Sequence, residues 1–194
     1  MAAVRQQILD AARSVFEQKG LYEASMSDVS KAAGLSVGSL YVHFRSKEAI
    51  LVALIETADV NGAPFAACTT AGELLGLVEE ILLRQQGADS ANQAASTALE
   101  VAAIARRSPE VQAIVVKNYE QLRANVMDAV VRVGNAAGQV GKAEMQVIGE
   151  GILSLLIAAQ SQTLIGVPTA VDAKAKAARM LITMLHGAPV RAKR

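Results

Sequence analysis

The chain of 194 residues is 52% hydrophobic and 19% charged, with a formal net charge of +1. That length and apolar content exclude an extended disordered chain and allow one large or two small domains around a buried core. The first 52 residues carry six Lys/Arg against five Asp/Glu, which excludes a broad basic field, so any affinity for nucleic acid must come from a few placed groups.

Apolar residues recur at helical spacing and β-branched alternation is never sustained, so the expected class is all-α, with about nine helices. The first helix is expected from about Val4 to Lys19, with Ile8, Leu9, Ala12, Val15 and Phe16 on one face and Gly20 as its end. Four of the six aromatic residues, Phe16, Tyr22, Tyr41 and Phe44, fall in the first 44 positions and are expected to supply the core of a small N-terminal domain. Ser25 and Asp28 have the spacing of a capping box and open a second helix at about Met26. Gly34 ends it, because glycine takes the left-handed conformation without a Cβ penalty. Ser36 then caps a third helix from Val37 to about Phe44. Two short helices joined by about three residues that include a glycine form a helix-turn-helix, whose second helix enters the major groove.

Ser46 caps a fourth helix carrying Ile50, Leu51, Leu54 and Ile55, which fades by Asn61-Gly62-Ala63-Pro64. The expected organisation is therefore a helix-turn-helix domain over 1–46, a connecting helix over 47–62, a larger helical domain over 63–188 and a basic tail over 189–194. In the larger domain, Thr70 and Glu73 repeat the capping-box spacing and open a helix that Gly87 closes. Another helix follows from about Ser90 to Arg106. Ser108-Pro109-Glu110 supplies an N-cap, a first-turn proline and an early carboxylate for a helix reaching about Val133, before Gly134-Asn135. A helix from about Lys142 to Ile165 is nearly apolar all round at its centre, which implies burial on more than one side. Thr169 and Asp172 form a third capping box, and the last helix presents Ala173, Ala177, Met180, Leu181, Met184 and Leu185.

One cysteine, Cys68, excludes an intramolecular disulfide and fits a reducing compartment. The most apolar run, Ile152 to Ala159, is far shorter than a membrane span, so a soluble cytoplasmic protein with no membrane partner is expected. No glycine-rich phosphate loop or nucleophile elbow occurs, and neither His43 nor His186 has a metal-ligand neighbour at helical spacing. No catalytic residue, cofactor or metal is expected.

The chemistry of the motif follows from its positions. N-terminal residues of the second motif helix face base edges, so Val37, Gly38 and Ser39 lie nearest the groove floor. Gly38 permits close approach, Val37 can touch a thymine methyl, and Ser39 can donate to a phosphate or a base. Tyr41 and His43 lie one face further on, within reach of the backbone. Ser25 and Ser36 are caps, and Ser25 can also meet a phosphate. Lys47 stands in the first turn of a helix, against the macrodipole, and a partner anion explains it better than helix stability does. Between Val37 and Phe44 there is no lysine or arginine. Guanine reading by arginine is then unavailable to this helix, and specificity leans on shape, methyl contacts and hydroxyls with a modest salt slope.

Taken together, Ile8-Leu-x-Ala-Ala-x-x-x-Phe16, Gly20-Leu-Tyr-Glu-Ala-Ser25, Asp28-Val-Ser-Lys-Ala-Ala-Gly-Leu-Ser-Val-Gly-Ser-Leu-Tyr-Val-His-Phe44 and Ser46-Lys-Glu-Ala-Ile-Leu51 resemble the tetracycline-repressor (TetR) family of bacterial transcription regulators. The resemblance covers roughly the first quarter of the chain. It implies a homodimer on a palindromic double-stranded DNA operator, with a three-helix DNA reader and a connecting fourth helix. It further implies that 63–188 is an effector-binding and dimerisation domain, with the dimer made by the last two long helices. It makes Tyr41 and His43 phosphate contacts, and Lys47 with its helix terminus a phosphate clamp.

The effector is an unknown small molecule, and its pocket is expected to be mostly apolar with a few orienting polar groups. Asn92, Gln93, Glu100, Tyr119, Arg123 and Gln160 stand at interior-looking positions and are the candidates for that lining. The expected function is a ligand-responsive regulator, most naturally a repressor. The alternative is a helical small-molecule-binding protein with little specific DNA affinity, which the uncharged third helix keeps open.

Overall fold

A computed structural model describes residues 2–57, 62–84, 99–138, 140–164 and 170–185; among these, the regular structure is helical and no strand occurs. The helices are α1 (Ala2–Glu23), α2 (Met26–Ala32), α3 (Val37–His43), α4 (Lys47–Thr57), α5 (Gly62–Ala67) and α6 (Ala71–Arg84). They are followed by α7 (99–105), α8 (Pro109–Ala137), α9 (Lys142–Leu164) and α10 (Val171–Met184). The chain divides into two compact units, one of Met1–Asp59 with Gln93–Asn118 and the other of Val60–Asn92 with Tyr119–Arg194.

In the first unit, α1 buries Ile8, Leu9, Ala12, Val15 and Phe16, the face its periodicity sets out. It does not stop at Gly20. That residue takes φ 79° and ψ 160°, a break that a side chain would resist, and one more turn carries Leu21 into the core. Val29, Leu40, Phe44, Ile50 and Leu51 complete the interior with Val111 from α8, and Val101, Ile104 and Ala105 of α7 pack against it. The linear division into 1–46 and 47–62 therefore does not describe the packing, because residues 99–115 contribute to the same core.

Only half of the expected aromatic core is realised. Phe16 and Phe44 are buried, whereas Tyr22 is 88% exposed and Tyr41 51% exposed. Aliphatics from α4, α7 and α8 fill the space instead. Arg5 lies over the Phe44 ring, 4.9 Å from its centroid, so this charge packs on the domain's aromatic edge.

The second unit is built from α5, α6, the C-terminal part of α8, α9 and α10. Its core gathers Phe65, Leu74, Val78, Leu82, Val126, Val130, Ile148, Ile152, Leu156 and Ile182, with α6, α8 and α9 contributing positions four apart. Thr70 and Glu73 form their capping box, with the Glu73 amide donating to Thr70 Oγ1 and the Thr70 amide donating to Glu73 Oε2. Ser108 caps α8 by accepting from the Val111 amide at 3.4 Å.

Three expectations need correction here. First, α8 passes through Gly134 to Ala137, and Gly138, at φ 69°, stands at its end. At Gly134 the glycine serves packing, since a Cβ there would lie 2.8 Å from Met145 Sδ of α9. Second, α10 has Ala170 at its N-cap with no side-chain cap bond; Thr169 lies outside the described residues. Third, α10 buries Val171, Lys174, Ala178, Ile182 and Leu185, while Met180 is 72% exposed. Of the expected face, Leu185 is buried and Leu181 and Met184 pack against the core; the most buried positions are shifted beside them because apolar residues line more than one side, and Lys174 disguised that side. The Lys174 ammonium is accommodated by donating to Gln162 Oε1.

Candidate nucleic-acid interface

The helix-turn-helix is set by short-range chemistry. Ser25 Oγ accepts from the Asp28 amide at 3.1 Å while the Ser25 amide donates to Asp28 Oδ2 at 3.0 Å, a complete capping box. Lys19 reaches Asp28 Oδ1 at 2.6 Å and ties the end of α1 to the start of α2. The Lys19 ammonium and the Ser25 hydroxyl and amide hold the Asp28 carboxyl far below the usual carboxylate range. At the other end of α2, Gly34 has φ 64°, its amide donates to the Lys31 carbonyl, and the Leu35 amide donates to the Ser30 carbonyl. These two bonds are the paired closure of a Schellman motif. Gln7 of α1 donates from Nε2 to the Ala33 carbonyl at 2.7 Å, so the turn is also held from outside.

Ser36 caps α3 by accepting from the Ser39 amide at 3.1 Å. The helix rests on Leu40, which is fully buried, and on Phe44 at its C-cap. Val37, Gly38, Tyr41 and Val42 are exposed, and their i, i+1, i+4, i+5 spacing makes one continuous outward face. Ser39 and His43 are half-buried at its margins. Val42, 78% exposed, is the most prominent apolar group on α3 and belongs with the candidate contacts. Periodicity places it opposite Leu40, a cue that spacing alone contained.

Gly38 is informative by what does not surround it. A Cβ there would meet nothing closer than Ser36 Oγ at 3.9 Å, so no internal contact demands a glycine. Glycine inside a helix costs about 0.5–1 kcal/mol relative to alanine. An approaching external group supplies a reason for it that the fold does not.

Lys47 needs the main correction. Its Nζ donates to the carbonyls of Leu21, Tyr22 and Ala24 at 2.5, 3.2 and 2.9 Å. An ammonium has three N–H donors, and three carbonyls receive them. A lysine that opposes the macrodipole of α4 is thus explained by the carbonyls after the Gly20 break, without an external anion. Ser25 is likewise engaged as a cap, its hydroxyl donating to Asp28 Oδ2 at 2.6 Å.

The candidates for an effector lining are distributed over both units. Asn92 and Gln93 lie outside the described residues. Glu100 belongs to the first unit, where its Oε2 accepts from the Tyr22 amide at 2.9 Å. Tyr119, Arg123 and Gln160 are on exposed surface, and Arg123 Nε donates to Glu150 Oε1 at 2.8 Å. Their helical spacing looked interior because α8 and α9 carry apolar residues on several sides.

Cys68 is buried, with Sγ donating to the Pro64 carbonyl at 3.4 Å. Burial, and then Glu73, push its thiol up, against a smaller opposing effect of Arg132. Among the described residues no group of three or more His, Cys, Asp and Glu side chains could hold a metal, and no helix is long and apolar enough to cross a membrane.

Residues 8–54 match the family model for bacterial regulatory proteins of the tetR family. The transcriptional regulator UidR of Escherichia coli K12 is 47% identical over 51 residues, a match spanning 26% of each chain, so similarity covers only about a quarter of that relative's length. The transcriptional repressor Rv1474c of Mycobacterium tuberculosis is 33% identical over 110 residues, covering 57% of this chain and 55% of the relative. The fold likeness extends further. The multidrug-binding protein EbrR, in a structure complexed with proflavin, has a TM-score of 0.62 and 20% identity, over 92% of this chain and 99% of that one. Residues 8–54 are thus similar in sequence to the tetR family of bacterial regulatory proteins, and the helical fold is similar to that of EbrR over nearly the whole length.

Proposed function

We propose that the protein is a cytoplasmic, sequence-specific DNA-binding transcription regulator that acts as a homodimer on a palindromic operator and represses until a small-molecule effector releases it. The observation that carries this reading is the outward face of α3, where Val37, Gly38, Tyr41 and Val42 are exposed and Gly38 has no internal reason to be glycine. Val37 and Val42 suit thymine methyls, Ser39 and the Tyr41 hydroxyl suit phosphate or base edges, and His43 suits the backbone at the margin. Ser25 and Ser36 present capped helix starts to the same duplex. Lys47 acts from behind, by fixing the corner before α2.

The effector is assigned to the second unit, and the proflavin complex of the similarly folded EbrR supports a small-molecule ligand for such a fold. Release requires only that the effector bind the non-DNA state better, with a coupling of about 1–3 kcal/mol. Recognition helices in the dimer must lie about 34–36 Å apart to enter successive major grooves, and a change in that spacing is the proposed output.

The test is selection from a random-sequence duplex library with the full chain, followed by footprinting of the recovered DNA. A recovered palindrome with half-sites one helical turn apart is the expected result. Because Val37 to Phe44 carries no lysine or arginine, log K against log salt should have a modest slope. Recovery of no sequence would replace this reading with that of a helical small-molecule-binding protein.

A further inference from the structure

The peptide groups of Tyr22 are held from two sides by opposite charges. Its N–H donates to Glu100 Oε2 of α7 at 2.9 Å, and its carbonyl accepts from Lys47 Nζ of α4 at 3.2 Å. Lys47 also holds the carbonyls of Leu21 and Ala24. The Gly20 break and the end of α1 at Glu23 create this need, because an amide just after a break and the last carbonyls of a helix have no regular helical partners. Glu100 comes so close at this point that a Cβ on Gly20 would lie 2.8 Å from its Oε1. Three residues after Tyr22 stands Ser25, the N-cap of α2.

We propose that Glu100 is a positioning residue for DNA reading, which fixes the corner at 20–24 and so makes the aim of the helix-turn-helix depend on where α7 stands. The inference rests on the DNA-reading function proposed above and assigns that function a control point. Glu100 acts through the backbone of Tyr22. The same arm is attached to α4 by a second polar bond, from Asn118 Nδ2 to the Ile55 carbonyl at 3.2 Å, and by Val111 in the shared core. A displacement of α7 and the start of α8 therefore pulls on the connecting helix at one end and on the corner before α2 at the other. Motion of α4 alone would leave the second attachment unused.

The proposal depends on reach, which separates the possible variants. Glu100→Gln keeps the length and an acceptor oxygen, Glu100→Asp keeps the charge and loses one methylene of reach, and Glu100→Ala loses acceptor and reach together. The experiment compares these full-length variants in two measurements. One is hydrogen exchange at the Tyr22 amide. The other is affinity for a duplex that the wild type recovers from a random-sequence library.

In the wild type the Tyr22 amide should be protected. Glu100→Ala and Glu100→Asp should speed its exchange and weaken duplex binding about tenfold, with Glu100→Gln closer to the wild type. The salt slope should stay unchanged in all three, since no phosphate contact is removed. Gln and Asp variants carry the comparison if the alanine variant does not fold. An unprotected Tyr22 amide in the wild type would overturn the proposal. So would wild-type affinity in Glu100→Asp, or an order in which Gln binds worse than Asp. Recovery of no duplex by the wild type would instead sink the DNA-reading function and Glu100's part in it together.

Discussion

Gly38 and Lys47 stand at opposite ends of what a single residue reveals. A substitution at Gly38 separates folding from function by sign. Gly38→Ala should raise stability by about 0.5–1 kcal/mol, because the open space around it admits a methyl and alanine prefers helix. The same methyl should weaken duplex binding, so thermal denaturation and a binding isotherm are expected to move in opposite directions. Lys47→Met should behave differently. It removes three bonds to carbonyls and should destabilise the first unit by about 2–3 kcal/mol. Binding should fall uniformly across duplex sequences while the salt slope holds, whereas loss of a phosphate contact would lower the slope by about 1. Urea melts and a salt titration decide between them. Lys47 was legible as an anomaly, a cation where the helix dipole disfavours one, but not its resolution. The three carbonyls lie 23 to 26 residues away in sequence and are free to accept because α1 ends at Glu23, leaving its last carbonyls without helical partners. Tyr22 was misplaced because the Gly20 break turns its side chain outward and sends Leu21 into the core.

Elements whose ends depend on neighbours a few residues away were the most legible. The caps at Ser25, Ser36, Ser46, Thr70 and Ser108 all form, as does the turn at Gly34. Faces were legible where only one side is apolar, as in α1, and obscure where apolar residues surround the helix, as in α10. The capping carboxylates carry a pH dependence. Hydrogen bonds from Lys19 and Ser25 depress the pKa of Asp28, and those from Thr69 and Thr70 depress that of Glu73. A depressed folded pKa contributes stability that is present in full above the unfolded value of about 4 and is lost as pH falls below it. Asp28→Asn should therefore lower the urea midpoint at pH 7, and the gap between variant and wild type should begin to narrow as pH falls below about 4. A gap independent of pH would mean that the cap needs only the hydrogen bonds of an amide, and no ionised group.

At the scale of the whole molecule, the glycine and alanine positions in the last two long helices divide into two uses. Gly149 seats the Met127 side chain of α8, Gly151 seats Leu181 of α10, and Ala159 and Ala178 are buried. Val147 and Met180 on the same two helices remain 65% and 72% exposed. The proposed dimer is expected to cover them. Val147→Glu with Met180→Glu should weaken dimerisation by at least about a hundredfold, since each loss recurs across a two-fold axis and a buried apolar side chain contributes about 1.5–3 kcal/mol. Sedimentation at micromolar concentration would show a monomer, while an unchanged mass would move the interface elsewhere. The assignment of residues 99–118 to the N-terminal unit was the least legible feature, because no local pattern marks a helix as belonging to a core begun 100 positions earlier.

That non-contiguous core has a practical consequence for grafting. A fragment ending near residue 59 carries every reading residue on α2 and α3, yet it lacks Val111, which is fully buried, and the α7 residues packed beside it. It also lacks Glu100 for the Tyr22 amide and Asn118 for the Ile55 carbonyl. Such a fragment would expose the inner side of α1 and α4, and fusing it to a foreign sensor would give a sticky, poorly aimed reader. A working chimera of the first unit has to exchange two stretches of chain at once, so the proposed reader cannot be moved as one contiguous segment.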